Sequence, residues 1–303
     1  MFKKIIFLFI FCLFIFAMPA YCIQINGFNP SRHARFLDPD NPAKNPDFFM
    51  GDYDWSGVGW NAANRNQSVT MISPQHFVGA KHYIIPTGRT VSFLNRDGEI
   101  KSYVIEGYSE VGFSDGSSAD LILGCLREPI PETDKVAYYS VIDADNKDTS
   151  EFETDWYLNK ELLCYGWSAS VGLNNIDSFN FVQPSSNDRT FCMAYDYHTN
   201  NANYLDEAGL LLGDSGSPAF IANAGHLTIA GTHYAISSGE VYNNYDSFVS
   251  YYINDLNTAM FDKGYSVATY VVPEPSIIIL FMIGLFGIVY SNAISLQNSG
   301  TAS

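Results

Sequence analysis

Six residues, Gly213-Asp214-Ser215-Gly216-Ser217-Pro218, put a serine between small neighbours with an aspartate just before it. Glycines suit a tight turn that lifts the hydroxyl and leaves room for a carbonyl to approach. In such a turn the backbone N–H groups of Gly213 and Ser215 can face one developing oxyanion. A serine hydroxyl is a weak nucleophile until a base takes its proton, and the base works best when an acid orients its ring. Both partners occur upstream. His82 ends an apolar stretch, and Asp120 stands immediately before the run Leu121-Ile122-Leu123. The gaps are 120 − 82 = 38 and 215 − 120 = 95 residues. His76 and Asp115 are the alternatives for base and acid. His76 precedes the second strand of its segment and Asp115 sits in a Gly/Ser-rich loop, whereas an orienting acid needs a rigid mount. His82, Asp120 and Ser215 together would perform nucleophilic acyl transfer.

The elements that must hold these groups are short strands. Residues Val69 to Tyr83 read as an apolar strand, a polar turn and a second strand running into Ala80-Lys81-His82. This resembles the strand-turn-strand ending in an A-A-H box of trypsin-like (chymotrypsin-fold) serine peptidases. Ser117 to Leu123, SSADLIL, is similar to their D-[IL]-A-L-L segment, and GDSGSP to their active-serine signature. The order His, Asp, Ser is that of the chymotrypsin template. The resemblance covers Asp54 to Phe261 and points to bacterial secreted members. It implies His82 as general base, Asp120 as the orienting acid and Ser215 as nucleophile, with Gly213 and Ser215 forming the oxyanion hole.

The same resemblance implies a substrate pocket at Gly209, Leu210 and His233. Gly209, six residues before the serine, lacks the acid that holds Lys or Arg. His233 falls where glutamyl endopeptidases carry a histidine for an acidic side chain, and Leu210 suits an apolar one. Two departures stand out. Lys81 and Tyr83 flank His82 where the family has Ala and Cys, and on a strand Lys81 would point away from the base. No basic residue followed by I-V-G-G precedes Trp55, so insertion of a new Ile N-terminus against Asp214 is not expected.

Composition supports an all-β reading. Aromatics are 15% and charged residues only 16% of the chain, enough apolar surface for a large core. Short alternating runs such as Thr90 to Leu94 recur between Gly, Asn and Asp turns, and few segments keep a 3.6-residue period. The expected architecture is two consecutive six-stranded Greek-key barrels, 54–150 with His82 and Asp120 and 151–265 with Ser215. An amphipathic helix over 248–261 lies in the second unit, and residues 23–53 form an N-terminal extension.

The two ends read as targeting segments. Lys3 and Lys4 precede the apolar run Ile5 to Phe16, a signal peptide over 1–22 with cleavage after Ala20 or Cys22. Val272-Pro273-Glu274-Pro275 followed by an apolar stretch to Tyr290 resembles a PEP-CTERM sorting tail, here 271–294, which implies an exosortase acting at Pro273-Glu274-Pro275. No basic residue follows Lys263, whereas such tails end in Lys or Arg. The expected location is exported, at the cell surface or outside, membrane-tethered before sorting.

With Lys3 and Lys4 removed, 14 basic residues face 32 acidic ones, a net −18, which disfavours nucleic acid as a partner and suits an acid-rich extracellular surface, while the resemblance implies a protein or peptide substrate. Three cysteines remain after export. The resemblance places Cys164 and Cys192 where the family forms disulfides, and Cys125 reads as a buried thiol. Asp143 to Asp148 has oxygen ligands at alternating positions, but Lys147 and a missing glycine make it a solvated loop rather than a calcium site. Neither metal nor cofactor is expected. The rival reading is a surface or biofilm-matrix binding protein on an inactive protease scaffold, against which the complete His-Asp-Ser set argues.

Overall fold

A computed structural model describes residues 23–38, 41–113, 116–143, 156–184, 188–198, 204–237 and 242–271. The expected signal peptide, the expected sorting segment beyond Val271, Asp115 and the acidic loop from Ala144 lie outside these residues. Among the described residues no helix is long and apolar enough to cross a membrane.

The described chain starts with strand β1 (Gln24–Ile25) and a one-turn helix α1 (Pro30–His33). Asn29 caps that turn through its side chain and Pro30 pre-sets its first residue. Six strands follow: β2 (Val58–Asn61), β3 (Asn64–Met71), β4 (His76–Gly79), β5 (Thr90–Leu94), β6 (Ile100–Gly112) and β7 (Ser118–Leu126). They close into an antiparallel barrel in the order β2-β3-β4-β7-β6-β5, which leaves no open edge. Alternate residues point inward, so Val69, Met71, Phe77, Val91, Phe93, Ile105 and Leu126 fill the interior. Gly124 is needed there, because a Cβ at that position would stand 2.1 Å from the Phe77 ring.

The second half contains β8 (Ser140–Asp143), β9 (Glu161–Tyr165), β10 (Val171–Asn175), β11 (Ser178–Val182), β12 (Thr190–Tyr197), β13 (Ala208–Gly209), β14 (Pro218–Asn223), β15 (His226–Ile236), β16 (Tyr242–Phe248) and β17 (Thr269–Val271). Its main sheet runs β10-β9-β14-β15-β16-β12-β11 and curls into a half-barrel, while β13 pairs with β1. Strand β8, grouped with the first barrel by its place in the sequence, adds in parallel to β15, and β17 adds in parallel to β8. The chain thus has the all-β, two-barrel architecture of the trypsin-like fold, with one short C-terminal helix.

That helix, α2 (Ile253–Met260), is shorter than the amphipathic pattern suggests. Phe248 is still paired with Gly231 in the sheet, and Val249–Tyr252 form a 3₁₀ turn. Leu256 and Met260, one turn apart, are its buried face. Aromatic residues join the halves. Trp55 stacks on Tyr165 at 5.7 Å and meets Phe220 edge-on at 5.6 Å. Hydrogen bonds also cross the seam, among them Ser217 to Ser68 (3.0 Å), Ser247 to the Asp120 carbonyl (3.0 Å) and the Asp120 N–H to Thr190 Oγ1 (2.8 Å). At about 1 kcal/mol each they add modest stability, but they set the register of one half against the other.

Candidate active site

His82 sits on a 3₁₀ turn, Lys81–Tyr83, that follows the end of β4 at Gly79. The sequence pattern suggested a strand there. The structure instead breaks pairing after Gly79, which frees the His82 backbone N–H to donate to Asp120 Oδ1 at 2.8 Å. The other carboxylate oxygen, Oδ2, faces His82 Nδ1 at 2.7 Å. Asp120 is nearly buried at the start of β7, and its own backbone is held by Thr190 and Ser247. Both ends of the acid are thereby fixed, which makes it a rigid mount for an imidazole.

The second ring nitrogen of His82, Nε2, lies 2.8 Å from Ser215 Oγ. With the Nδ1 proton directed at the carboxylate, Nε2 is the acceptor for the serine hydroxyl. The hydrogen bond that His82 donates to Asp120 raises its pKa above that of free histidine; partial burial opposes this and the carboxylate charge adds to it. Lys81 turns away as expected, to Glu110 and Ser118. His76 is elsewhere: its Nδ1 bonds Ser73, and burial pushes its pKa down to about 4.

The turn that carries Ser215 depends on two left-handed glycines, Gly213 (φ 107°) and Gly216 (φ 81°). At Gly216 a Cβ would also come within 3.0 Å of the Ala80 nitrogen, so the glycine lets the histidine loop approach. Among the described residues the N–H groups of Gly213 and Ser215 donate to no other group. They flank the Ser215 side chain on its turn.

Asp214 is fully enclosed beneath this turn. Its Oδ2 accepts the Leu211 and Ile23 backbone N–H groups at 2.8 and 3.0 Å, and Oδ1 accepts that of Trp167 at 3.1 Å. Burial pushes its pKa upward, opposed by the nearby His233 charge and these three donors. The missing I-V-G-G motif put insertion of an Ile N-terminus at Asp214 in doubt; the structure nonetheless sets the Ile23 backbone nitrogen against that carboxylate. Ile23-Gln24-Ile25-Asn26-Gly27 directly follows the candidate cleavage site at Cys22 and keeps only the first Ile and a later Gly of the usual pattern. β1 lays this segment beside β13, pairing Gln24 with Gly209.

The pocket residues call for a second correction. Gly209 has no room for any side chain, because a Cβ would stand 2.5 Å from the Tyr197 ring and 2.6 Å from the Tyr242 hydroxyl. Leu210 is buried, its N–H held by Asn244. His233 is 1% exposed, with Nδ1 on Asp246 at 2.7 Å and Nε2 on the Tyr165 carbonyl at 3.1 Å. Both ring nitrogens are committed, so this histidine has no donor left for a substrate carboxylate. What the sequence pattern missed is Asp246, thirteen positions away but directly across in the register of β15 and β16.

Cys164 and Cys192 are separate buried thiols on the non-adjacent strands β9 and β12. Cys125 is likewise a free thiol, only partly buried. Among the described residues one group, Asp196, His198 and Glu207, gathers three donor types that suit a metal. The two His198 nitrogens face different carboxylates, Glu207 at 2.8 Å and Asp196 at 3.6 Å, so the group is an internally paired ion cluster.

No protein-family model and no curated protein matches the chain. Similar solved structures include three forms of heparin binding protein. A doubly substituted mutant of the human protein (CAP37) is 14% identical, covers 70% of this chain and 94% of that chain, and gives a TM-score of 0.49. An atomic-resolution structure of the same protein has 11% identity, the same coverage and a TM-score of 0.48. A singly substituted human form has 11% identity, again the same coverage, and a TM-score of 0.47.

Proposed function

We propose that this chain is an exported serine endopeptidase that cleaves peptide bonds through an acyl-enzyme. The observation that carries the reading is the unbroken hydrogen-bonded line from Asp120 through His82 to Ser215, at 2.7 and 2.8 Å. Ser215 Oγ attacks the substrate carbonyl while His82 Nε2 takes its proton. The oxygen of the tetrahedral intermediate gains charge and is met by the N–H groups of Gly213 and Ser215, a contribution of about 3–4 kcal/mol per donor in related chemistry. His82 then passes the proton to the departing amine, and water repeats the sequence to release the acid. Asp120 stays ionised throughout and keeps the ring in the productive tautomer.

Export supplies a further step. Cleavage after Cys22 would turn the Ile23 amide into an α-ammonium at the spot where its nitrogen already meets Asp214. A buried carboxylate with only amide donors would then gain a full counter-charge, which supports the turn that carries Ser215. The mature protein is expected at the cell surface or outside, with an exosortase as the processing partner for the Pro273-Glu274-Pro275 tail. Labelling with a fluorophosphonate probe tests the central claim: wild type should gain one adduct by intact mass and Ser215→Ala none. An unlabelled wild type of correct fold and mature N-terminus would favour a binding protein on this scaffold.

A further inference from the structure

The chain carries 32 acidic residues against 16 basic ones, yet Arg35, Lys44 and Arg96 converge on one open cavity of about 280 Å³. It lies between the N-terminal extension and the end of β5, and neither His82 nor the Ser215 turn lines it. Phe48, Tyr53, Trp55 and Leu94 supply an apolar wall. Phe48 and Trp55 fix one another edge to face at 5.7 Å, and the Trp55 indole N–H is spent on the Met50 carbonyl at 2.8 Å.

Arg35 is the unusual member of this lining. It is 6% exposed, and an arginine is almost never so enclosed unless paired with an acid. The register of the first barrel explains its place. β2 and β5 pair at Trp60–Ser92 and Asn61–Val91, and the same register continued would set Val58 against Leu94. Pairing stops short of that point, and the Arg35 guanidinium takes the gap. It donates to the Val58 carbonyl at 3.0 Å, the Leu94 carbonyl at 3.3 Å and the Tyr165 hydroxyl at 3.4 Å. Its other side-chain contact is the Phe36 ring at 4.7 Å, so among the described residues no carboxylate pairs with it. A guanidinium has five N–H donors, and three acceptors leave two for a ligand.

The acids of the cavity do not supply the missing counter-charge. Asp54 Oδ1 accepts the Ser56 N–H and hydroxyl at 3.0 and 2.6 Å, and Oδ2 accepts Arg96 Nε at 2.5 Å. Asp52 is exposed at the rim. Lys44 is exposed too, and its ammonium donates to the Arg96 carbonyl rather than to an acid. One enclosed cation and one at the rim therefore face an apolar wall. We propose that this cavity binds a small aromatic carboxylate, its head between Arg35 and Lys44 and its ring against Phe48 and Trp55. A guanidinium held in place by fixed carbonyls presents a planar fork that matches a carboxylate. The volume is at the small end of ligand sites, room for one ring rather than a peptide. Nothing in the site depends on the acyl-transfer reading. Arg35 also joins the extension to Tyr165 in the second half, so an occupied cavity should brace the extension against the body of the protein.

Equilibrium dialysis of the mature protein against phenylacetate and against its neutral isostere phenylacetamide tests the site. Phenylacetate should bind with a Kd lower by about ten-fold or more, the ratio that one charge-assisted hydrogen bond supplies. It should also raise the thermal midpoint, which the amide leaves nearly unchanged. Lys44→Glu, at an exposed position, should abolish the preference for the carboxylate. Arg35→Met should do the same if it folds, and Lys44→Glu decides alone if it does not. Ser215→Ala should bind phenylacetate as wild type does. No retention of phenylacetate, equal retention of the two compounds, or an undiminished preference in Lys44→Glu overturns the proposal. So does loss of binding in Ser215→Ala, which would put the ligand at the serine instead.

Discussion

Ile23 and Asp214, 191 residues apart, are joined by a hydrogen bond of 3.0 Å from backbone nitrogen to carboxylate in a fully enclosed site. Ile23 is also the first residue after the second candidate cleavage position, Cys22. The contact therefore links the first described residue of the chain to the turn that carries Ser215.

The mature N-terminus should accordingly be Ile23, read by intact mass and N-terminal sequencing. A form that begins at Tyr21, from cleavage after Ala20, should have little hydrolytic activity. Leaving a buried charge without its partner costs about 3–5 kcal/mol, more than two decades in the ordered population. Full activity with two extra residues in place would count against the ion pair.

Ser215→Ala and His82→Ala should each lower kcat by about 10⁴ or more without loss of fold, since triad members act as a unit. Asp120→Asn should be comparably slow, because an amide facing Nδ1 favours the wrong tautomer. Asp115→Asn, tested beside it, should retain activity. Kinetics on an activated ester with near-UV circular dichroism separate chemistry from misfolding, and a fully active His82→Ala would end the assignment.

The acid limb of the pH–rate profile should lie above the ordinary histidine value of about 6.5. The hydrogen bond that His82 donates to Asp120 raises the His82 pKa, and only the neutral ring accepts the serine proton, so kcat/KM rises as pH climbs through that raised pKa. Stability runs the other way. A raised folded-state pKa contributes stability that is complete below the unfolded value and is lost as pH rises through the folded one. In Asp120→Asn the acid limb should move down; an unmoved limb would assign it to another group.

His233→Ala should destabilise the fold rather than redirect specificity. Burial works against the charged ring, but the Asp246 charge and hydrogen bond outweigh it and raise its pKa, and both nitrogens donate, one to a carbonyl that can only accept. Removing the ring strands the Asp246 carboxylate beside Tyr195, at a cost of about 3–5 kcal/mol in denaturant unfolding. The native contribution of His233 is present below the unfolded pKa and declines as pH rises through the raised folded value. A normal unfolding midpoint with a selective loss of cleavage after Glu would restore the pocket role.

The three triad positions were legible because each is a short local pattern: glycines around a serine, a histidine after an apolar strand, an acid before one. Their convergence depends on long-range pairing, which the resemblance supplied and alternation alone did not. His233 was misread because a sequence shows a residue type, not whether its nitrogens are already taken. Asp246 fills one of them only through the β15–β16 register. Ile23 escaped notice for a different reason: the group that matters there is a backbone nitrogen, which no side chain advertises. The parallel addition of β8 to β15 was equally hidden, since partner choice is settled by how the curled sheet closes. The helix ran short of its pattern because Phe248 had a better use in the sheet.

The bond between Ser217 and Ser68, with those of Asp120 to Ser247 and Thr190, ties together Ser215 and His82, which belong to different halves of the chain. The first barrel alone therefore holds His82 without the second-half partners that fix Asp120. Ser215 arrives only after the later strands dock, and Ile23 must by then have travelled back to Asp214. On the acyl-transfer reading proposed above, hydrolytic capacity would be a last-stage property, acquired only once both halves and Ile23 have docked.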